Sequence, residues 1–227
     1  MSTPFAPLTD LAYQLVSGLA DATTPVFGAA SAAAAIVLGT VAVRVLLVPV
    51  GYAQHRAELR RTALTAKVTA LRERHSRNPR KLDAELTELY RAEGGGMLLG
   101  CLPMLVQLPV FAALYQLFVS PVVHGHANLL LHQTLFGVPL GAHVLAVTAP
   151  QLVVFAGIVL LLVAVGYASA RLLRPVAPLP PGAAGVLIRV LPYASAVTAL
   201  FLPLAASLYL LTTTAWTVAQ TLILRQL

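Results

Sequence analysis

Apolar residues fall along this chain in long runs separated by short polar breaks, a pattern of helix-length segments rather than of strands. Residues 7–20 carry Leu8, Leu11, Leu15 and Leu19 three or four apart. That spacing predicts an amphipathic helix lying at a membrane interface within an extracytoplasmic segment, 1–28. The first long run, 29–50, is interrupted only by small polar residues and Arg44, and is long enough to span. Pro49 and Gly51 are expected to loosen its end. A second run covers 97–118, with Pro103, Gln107 and Pro109 inside it, and a third covers 150–173. The last apolar stretch, Val186 to Leu224, is nearly twice the ~20 residues of one crossing. Pro203 therefore reads as the turn of a tight hairpin with spans at 188–203 and 204–224. The expectation is an all-α membrane protein of five transmembrane helices.

Between the first two runs the character changes. Ten of the fifteen Lys and Arg fall between residues 52 and 96. Two helical patterns appear there, through Leu64, Val68 and Leu71 and through Leu82, Leu86 and Leu89. Asn78-Pro79 reads as an N-cap followed by proline at the first helical position, and Gly94-Gly95-Gly96 as a stop. The segment 52–96 is thus expected to be an antiparallel helical hairpin in water. A second break, 174–187, is expected to be a Pro-rich loop that follows Arg174.

Charge then orients the spans. If 52–96 is cytoplasmic, Arg171, Arg174, Arg189 and Arg225 are cytoplasmic too, whereas 1–28, 119–149 and the Pro203 turn hold no Lys or Arg. The positive-inside rule is obeyed at every loop with the N-terminus outside and the C-terminus inside. Composition agrees: 58% of residues are hydrophobic and 10% charged, against roughly a quarter charged in soluble proteins. The net charge of +7 gathers beside apolar runs, which argues for membrane topology and against nucleic-acid binding by the chain itself. The N-terminal stretch carries Asp10 and Asp21 where a signal peptide would be basic. Cys101 is the only cysteine, so no intrachain disulfide is expected.

Arg44 is the one charge placed well inside a run. Its side chain could snorkel toward Gly51, about 10 Å away at 1.5 Å per residue, or it could face a water-filled cavity. Thr40 lies on the same helical face. Gln107 and the last-span residues Thr212, Thr213, Thr214, Thr217 and Gln220 add polar groups that need partners or water. A hydrated groove accounts for them together. All eight Asp and Glu lie outside the runs, which disfavours a proton- or cation-coupled transporter. No P-loop, HExxH or GxSxG pattern occurs, so neither an enzyme nor a cofactor is expected. The four histidines of 119–149 (His124, His126, His132, His143) lack ligand spacing, and no metal site is expected. An anion channel or transporter using Arg44, or a structural assembly subunit, remain alternatives.

Arg72-Glu73-Arg74-His75, Asn78-Pro79-Arg80-Lys81-Leu82 and Leu89-Tyr90 precede the run Gly100-Cys101-Leu102-Pro103-Met104-Leu105-Val106-Gln107-Leu108-Pro109-Val110-Phe111. With Arg44 late in the first span and Pro203 before Leu208-Tyr209, these resemble the YidC/Oxa/Alb family of membrane protein insertases, over about residues 8–224. The resemblance implies a groove in the inner half of a bacterial cell (plasma) membrane, multi-pass, with Arg44 attracting the acidic translocated segment of a substrate. On that pattern Thr40, Arg44, Gln107, Leu108, Phe111, Tyr209, Thr217 and Gln220 line the groove. The partners implied are nascent membrane proteins and the lipid bilayer. The 52–93 hairpin would be the surface toward a Sec translocon, the signal recognition machinery or the ribosome. Gly96-Met97 departs from the Asn-Pro common in the family, Leu210 replaces an aromatic, and only Arg225-Gln226-Leu227 follow Leu224.

Overall fold

The computed structural model describes residues 6–76, 78–92, 122–123, 126–173 and 183–226. The expected span 97–118, with Gln107, Leu108 and Phe111, lies outside them, as does most of the Pro-rich loop. Helix α1 runs Ala6–Phe27 and helix α2 runs Ser31–Leu46. Gly28, at φ +52, turns the chain between them, a conformation open to glycine without a Cβ clash. The two helices pack along each other.

The face of α1 that packs on α2 is not the leucine stripe as a whole. Tyr13, Val16, Leu19 and Ala20 are the α1 residues joined to the core, while Leu11 and Leu15 are exposed. The cause is the partner surface. Ala32, Ala33, Ala35 and Ile36 of α2 are buried, and small residues let two helix backbones approach closely. Leu19 Cδ2 sits 3.7 Å from where Gly39 would carry a Cβ. A complementary small-residue face on α2 is invisible to the periodicity of α1 alone.

Helix α2 stops at Leu47, and helix α3 continues directly over Val48–Arg74. Pro49 explains the break, because it has no N–H to donate and its ring crowds the preceding turn. The apolar run 29–50 is thus divided between two helices, and Val48 to Val50 belong to the helix that continues into the basic segment. Helix α4, Pro79–Ala92, starts where Asn78 Oδ1 accepts the Lys81 amide at 3.3 Å. It packs on α3, where Val68 is buried and Leu64, Leu71, Leu82, Leu86 and Leu89 are half-buried. His75 Nε2 and Glu85 Oε2, 3.0 Å apart, close the hairpin end, although the ring N–H is not aligned for a hydrogen bond.

A small cap covers the opposite end of the bundle. Strands β1 (Val122–Val123) and β2 (His126–Ala127) pair, as do β3 (Thr134–Leu135) and β4 (Val138–Pro139), all antiparallel. Phe136 and Gly137 make the second turn with positive φ values of 50 and 79, the backbone of a type I′ hairpin. Val138, Leu140 and Leu130 are buried beneath it, with Asn128 Oδ1 accepting the Leu130 amide at 3.2 Å.

Helix α5, Ala149–Leu172, begins with a capping box between Thr148 and Gln151, a reciprocal arrangement that satisfies two otherwise orphaned amides. Its inward stripe is Phe155, Ile158, Leu162 and Gly166. Helices α6 (Ala183–Val190) and α7 (Ala194–Ala199) are separated by a 3-10 turn, Leu191–Tyr193, that contains Pro192. A Cβ on Gly166 would meet the Pro192 carbonyl oxygen at 2.7 Å, so the glycine is what lets α5 lie against the break. Helix α8, Leu204–Leu224, follows Pro203, and Ser207 Oγ donates to the Ala199 carbonyl at 3.1 Å across the turn. Among the described residues, Tyr13–Leu46 and Ala149–Leu172 are long and apolar enough to cross a membrane by length and composition. Tyr13–Leu46 is the folded α1–α2 pair.

Candidate functional site

Among the described residues, α2 carries Thr40 and Arg44, and α8 carries Thr212, Thr213, Thr214, Thr217 and Gln220. Both start under the cap. Gln133 Oε1 accepts the Ser31 hydroxyl at 3.0 Å and the Ala32 amide at 2.9 Å, fixing the head of α2. The Leu204 and Ala205 amides donate to the carbonyls of Ala142 and Leu140, each at 2.9 Å, fixing the head of α8. From there the two helices run in the same direction and pack together.

Just beyond α2, the start of α3 meets the far end of α8 at Gly51 and Gln220. The Gln220 side-chain amide occupies the space that a Cβ on Gly51 would fill, and the Trp216 indole N–H donates to Gln220 Oε1 at 2.8 Å. Gly51 is thus part of regular helix α3, and it serves close approach rather than loosening. Arg44 lies seven residues before Gly51 in the sequence, and Thr213 seven before Gln220. On α2, Ala33, Val37, Thr40 and Arg44 follow one another at helical spacing, as do Tyr209, Thr213, Thr217 and Gln220 on α8.

The threonines do not all need water. Thr40 donates to the Ile36 carbonyl at 2.6 Å, Thr212 to Leu208 at 2.9 Å, Thr214 to Leu210 at 2.8 Å and Thr217 to Thr213 at 2.9 Å. Each hydroxyl is satisfied within its own helix. The neighbour is the exception. Among the described residues, Thr213 Oγ1 is buried with no hydrogen-bond partner. Arg44 itself is half-buried in the last turn of α2, and no hydrogen bond or ion pair joins it to another described residue. A cation at a helix C-terminus also interacts favourably with the helix dipole.

The expected groove residues separate into three groups. Thr40 and Arg44 share one face of α2. Gln220 is held against the start of α3, with Thr217 exposed one turn away. Tyr209 is only 7% exposed and belongs to the core. Gln107, Leu108 and Phe111 lie outside the described residues. Thr217 also opens, with Thr214, Ser169 and Ser195, onto a cavity of about 240 Å³ beside the Pro192 break. Sequence reading missed Gln133, Trp216 and the role of Gly51. Only the Trp216–Gln220 pair left a local signal, an i,i+4 spacing. His132 and His143 are exposed, and no metal-holding cluster exists among the described residues.

Residues 23–227 match the family described as 60Kd inner membrane protein. The membrane protein insertase YidC of Ralstonia nicotianae is 40% identical over 87 residues, 38% of this chain and 16% of that protein. That of Acidiphilium cryptum is 37% identical over 97 residues, 43% of this chain and 16% of its own length. That of Granulibacter bethesdensis is 32% identical over 127 residues, 56% of this chain and 20% of that protein. The matched part is thus a fifth or less of the length of these relatives.

Proposed function

This chain belongs to the 60Kd inner membrane protein family, the family of the YidC insertases, and we propose that it inserts and folds membrane proteins along a polar track between α2 and α8. The reading is carried by Arg44. It is a cation within an apolar stretch, without an ion-pair partner among the described residues, on a helix packed against the threonine-rich α8. In this account the basic α3–α4 hairpin is cytoplasmic, the uncharged cap is outside, and five spans cross the bacterial plasma membrane.

An acidic segment of a nascent chain is drawn toward Arg44. At 4 Å such a pair gains about 4 kcal/mol at an effective dielectric of 20, against about 1 in water. Water near Thr213 and Arg44 lowers the desolvation cost of polar groups entering the membrane. The substrate's apolar helix then leaves sideways into lipid, driven by its own transfer free energy, so this chain hydrolyses nothing. Gln107, Leu108 and Phe111 of the second span would complete the wall. The 52–93 hairpin would recruit the nascent chain, with or without a Sec translocon, the signal recognition machinery or the ribosome.

Depletion of the protein followed by rescue tests this. Loss of insertion of small-tailed substrates, restored by wild-type protein, supports it. An unchanged insertion profile across such substrates would sink it. A chloride conductance in proteoliposomes, abolished by Arg44→Ala, would favour an anion path instead.

A further inference from the structure

We propose that the cap end of the bundle is seated in the outer lipid boundary by three exposed phenylalanines, each on a different turn. Phe27 ends α1 just before Gly28, Phe136 forms the tip of the β3–β4 hairpin, and Phe201 lies in the turn from α7 to α8. Their exposures are 50%, 86% and 75%. The three turns belong to one end of the molecule. Strand β3 packs against the Gly28–Ala30 turn. Gln151, in the first turn of α5, donates its side-chain amide to the Gly137 carbonyl at 3.2 Å. The first two amides of α8 bond the cap backbone at Leu140 and Ala142. Three separate parts of the fold therefore present an exposed phenyl ring at one end of the bundle.

Phe136 makes the point most sharply. Its φ of +50 is the region that a type I′ turn fills best with Asn or Gly, yet the residue there is an aromatic whose ring touches little of its own chain. An outlier of this kind points to a contact made outside the fold. Segment 119–149 contains no Lys, Arg, Asp or Glu, so the cap can meet lipid without stripping water from a charge. The exposed apolar face of α5, including Leu152, Val153 and Leu160, starts at the same level. A lipid surface is the partner that suits all of these, since aromatic rings concentrate where a bilayer meets water. The inference rests on the family's membrane location and is independent of the insertion reading.

The test uses the full chain with Cys101→Ser, reconstituted in vesicles of phosphatidylethanolamine and phosphatidylglycerol. Nitroxide labels are placed singly at Phe27→Cys, Phe136→Cys and Phe201→Cys, with the exposed cap position His132→Cys as the aqueous reference. Power-saturation spectroscopy then compares collision with oxygen, which concentrates in lipid, and with a water-soluble nickel chelate. Oxygen is expected to dominate at all three tips and nickel at residue 132. Nickel access at the tips equal to that at 132 overturns the proposal. Low access to both reagents also overturns it, because that result means a protein surface covers the rings. Phe136→Asn, which suits the turn, is expected to leave the fold intact while raising nickel access at a label on 201. No change at 201 would contradict a shared anchor.

Discussion

Replacing Gly51 by alanine sets two effects of similar size against each other, and the structure decides how they can be separated. Alanine is favoured over glycine in a helix interior by about 1 kcal/mol. Gly51 lies inside α3, so propensity alone predicts stabilisation. Against this, the new methyl takes the space now held by the Gln220 amide. That amide is the end of a flexible side chain, so it rotates away rather than forcing the helices apart. Moving it breaks the 2.8 Å Trp216–Gln220 bond, a net loss of about 0.5–1.5 kcal/mol, with more lost if the indole N–H is left buried and unpaired. Gly51→Ala is therefore expected to change stability by less than about 1 kcal/mol in the wild-type background. In a Gln220→Ala background it is expected to stabilise by about 1 kcal/mol, since only the propensity gain remains. Trp216 is the only tryptophan, so its emission reports the broken bond directly. Unfolding of the four proteins in mixed micelles, followed by that emission, completes the cycle. Equal effects of Gly51→Ala in both backgrounds, with unchanged emission, would refute the proposed contact.

Arg44→Ala should slow insertion of substrates with acidic translocated segments by up to about 100-fold, the equivalent of roughly 3 kcal/mol of lost attraction. Arg44→Lys should lose less, and neutral segments little, as read by protease protection of pulse-labelled substrates. Gln133→Ala removes the partner of both Ser31 Oγ and the Ala32 amide; it should cost about 1–2 kcal/mol and speed hydrogen exchange at the head of α2. Gly166→Ala drives a methyl against the Pro192 carbonyl, a backbone atom that cannot rotate away, and should destabilise by about 1–3 kcal/mol in thermal unfolding. Thr213→Val should stabilise by about 1–3 kcal/mol if its hydroxyl is dry. The hydrated track instead predicts no gain in stability together with reduced insertion.

Much of the architecture was legible because the patterns behind it are local. Asn78-Pro79 announces its own cap, Pro203 its own turn, and the leucine and valine positions of 64–89 their shared face. What escaped depends on distant partners. The alanines of α2 decide which face of α1 is buried, and they lie beyond the Gly28 turn. Gly51 reads as a weak point until Gln220, 169 positions along the chain, is placed beside it. The candidate site shows the same division. Thr40 and Arg44 share a face by simple spacing, whereas the threonines of α8 looked like a demand for water. Most of that demand is met by carbonyls one turn back in the same helix, which leaves Thr213 and Arg44 without a partner among the described residues. The resemblance to the insertases was read over about residues 8–224 with its most specific motif within 72–118, and the family match covers 23–227.

The passage of substrate along α2 and α8 is tested most directly by site-specific photocrosslinking to a ribosome-bound nascent membrane protein. The photoreactive side chain is placed at Thr40 or Thr217, or at Val153 on the outer face of α5. The account predicts strong crosslinks to the substrate's translocating segment from 40 and 217 that peak at intermediate chain lengths, with only background from 153. Crosslinks from 153 as strong as those from 40 and 217, or none from 40 at any chain length, would contradict it.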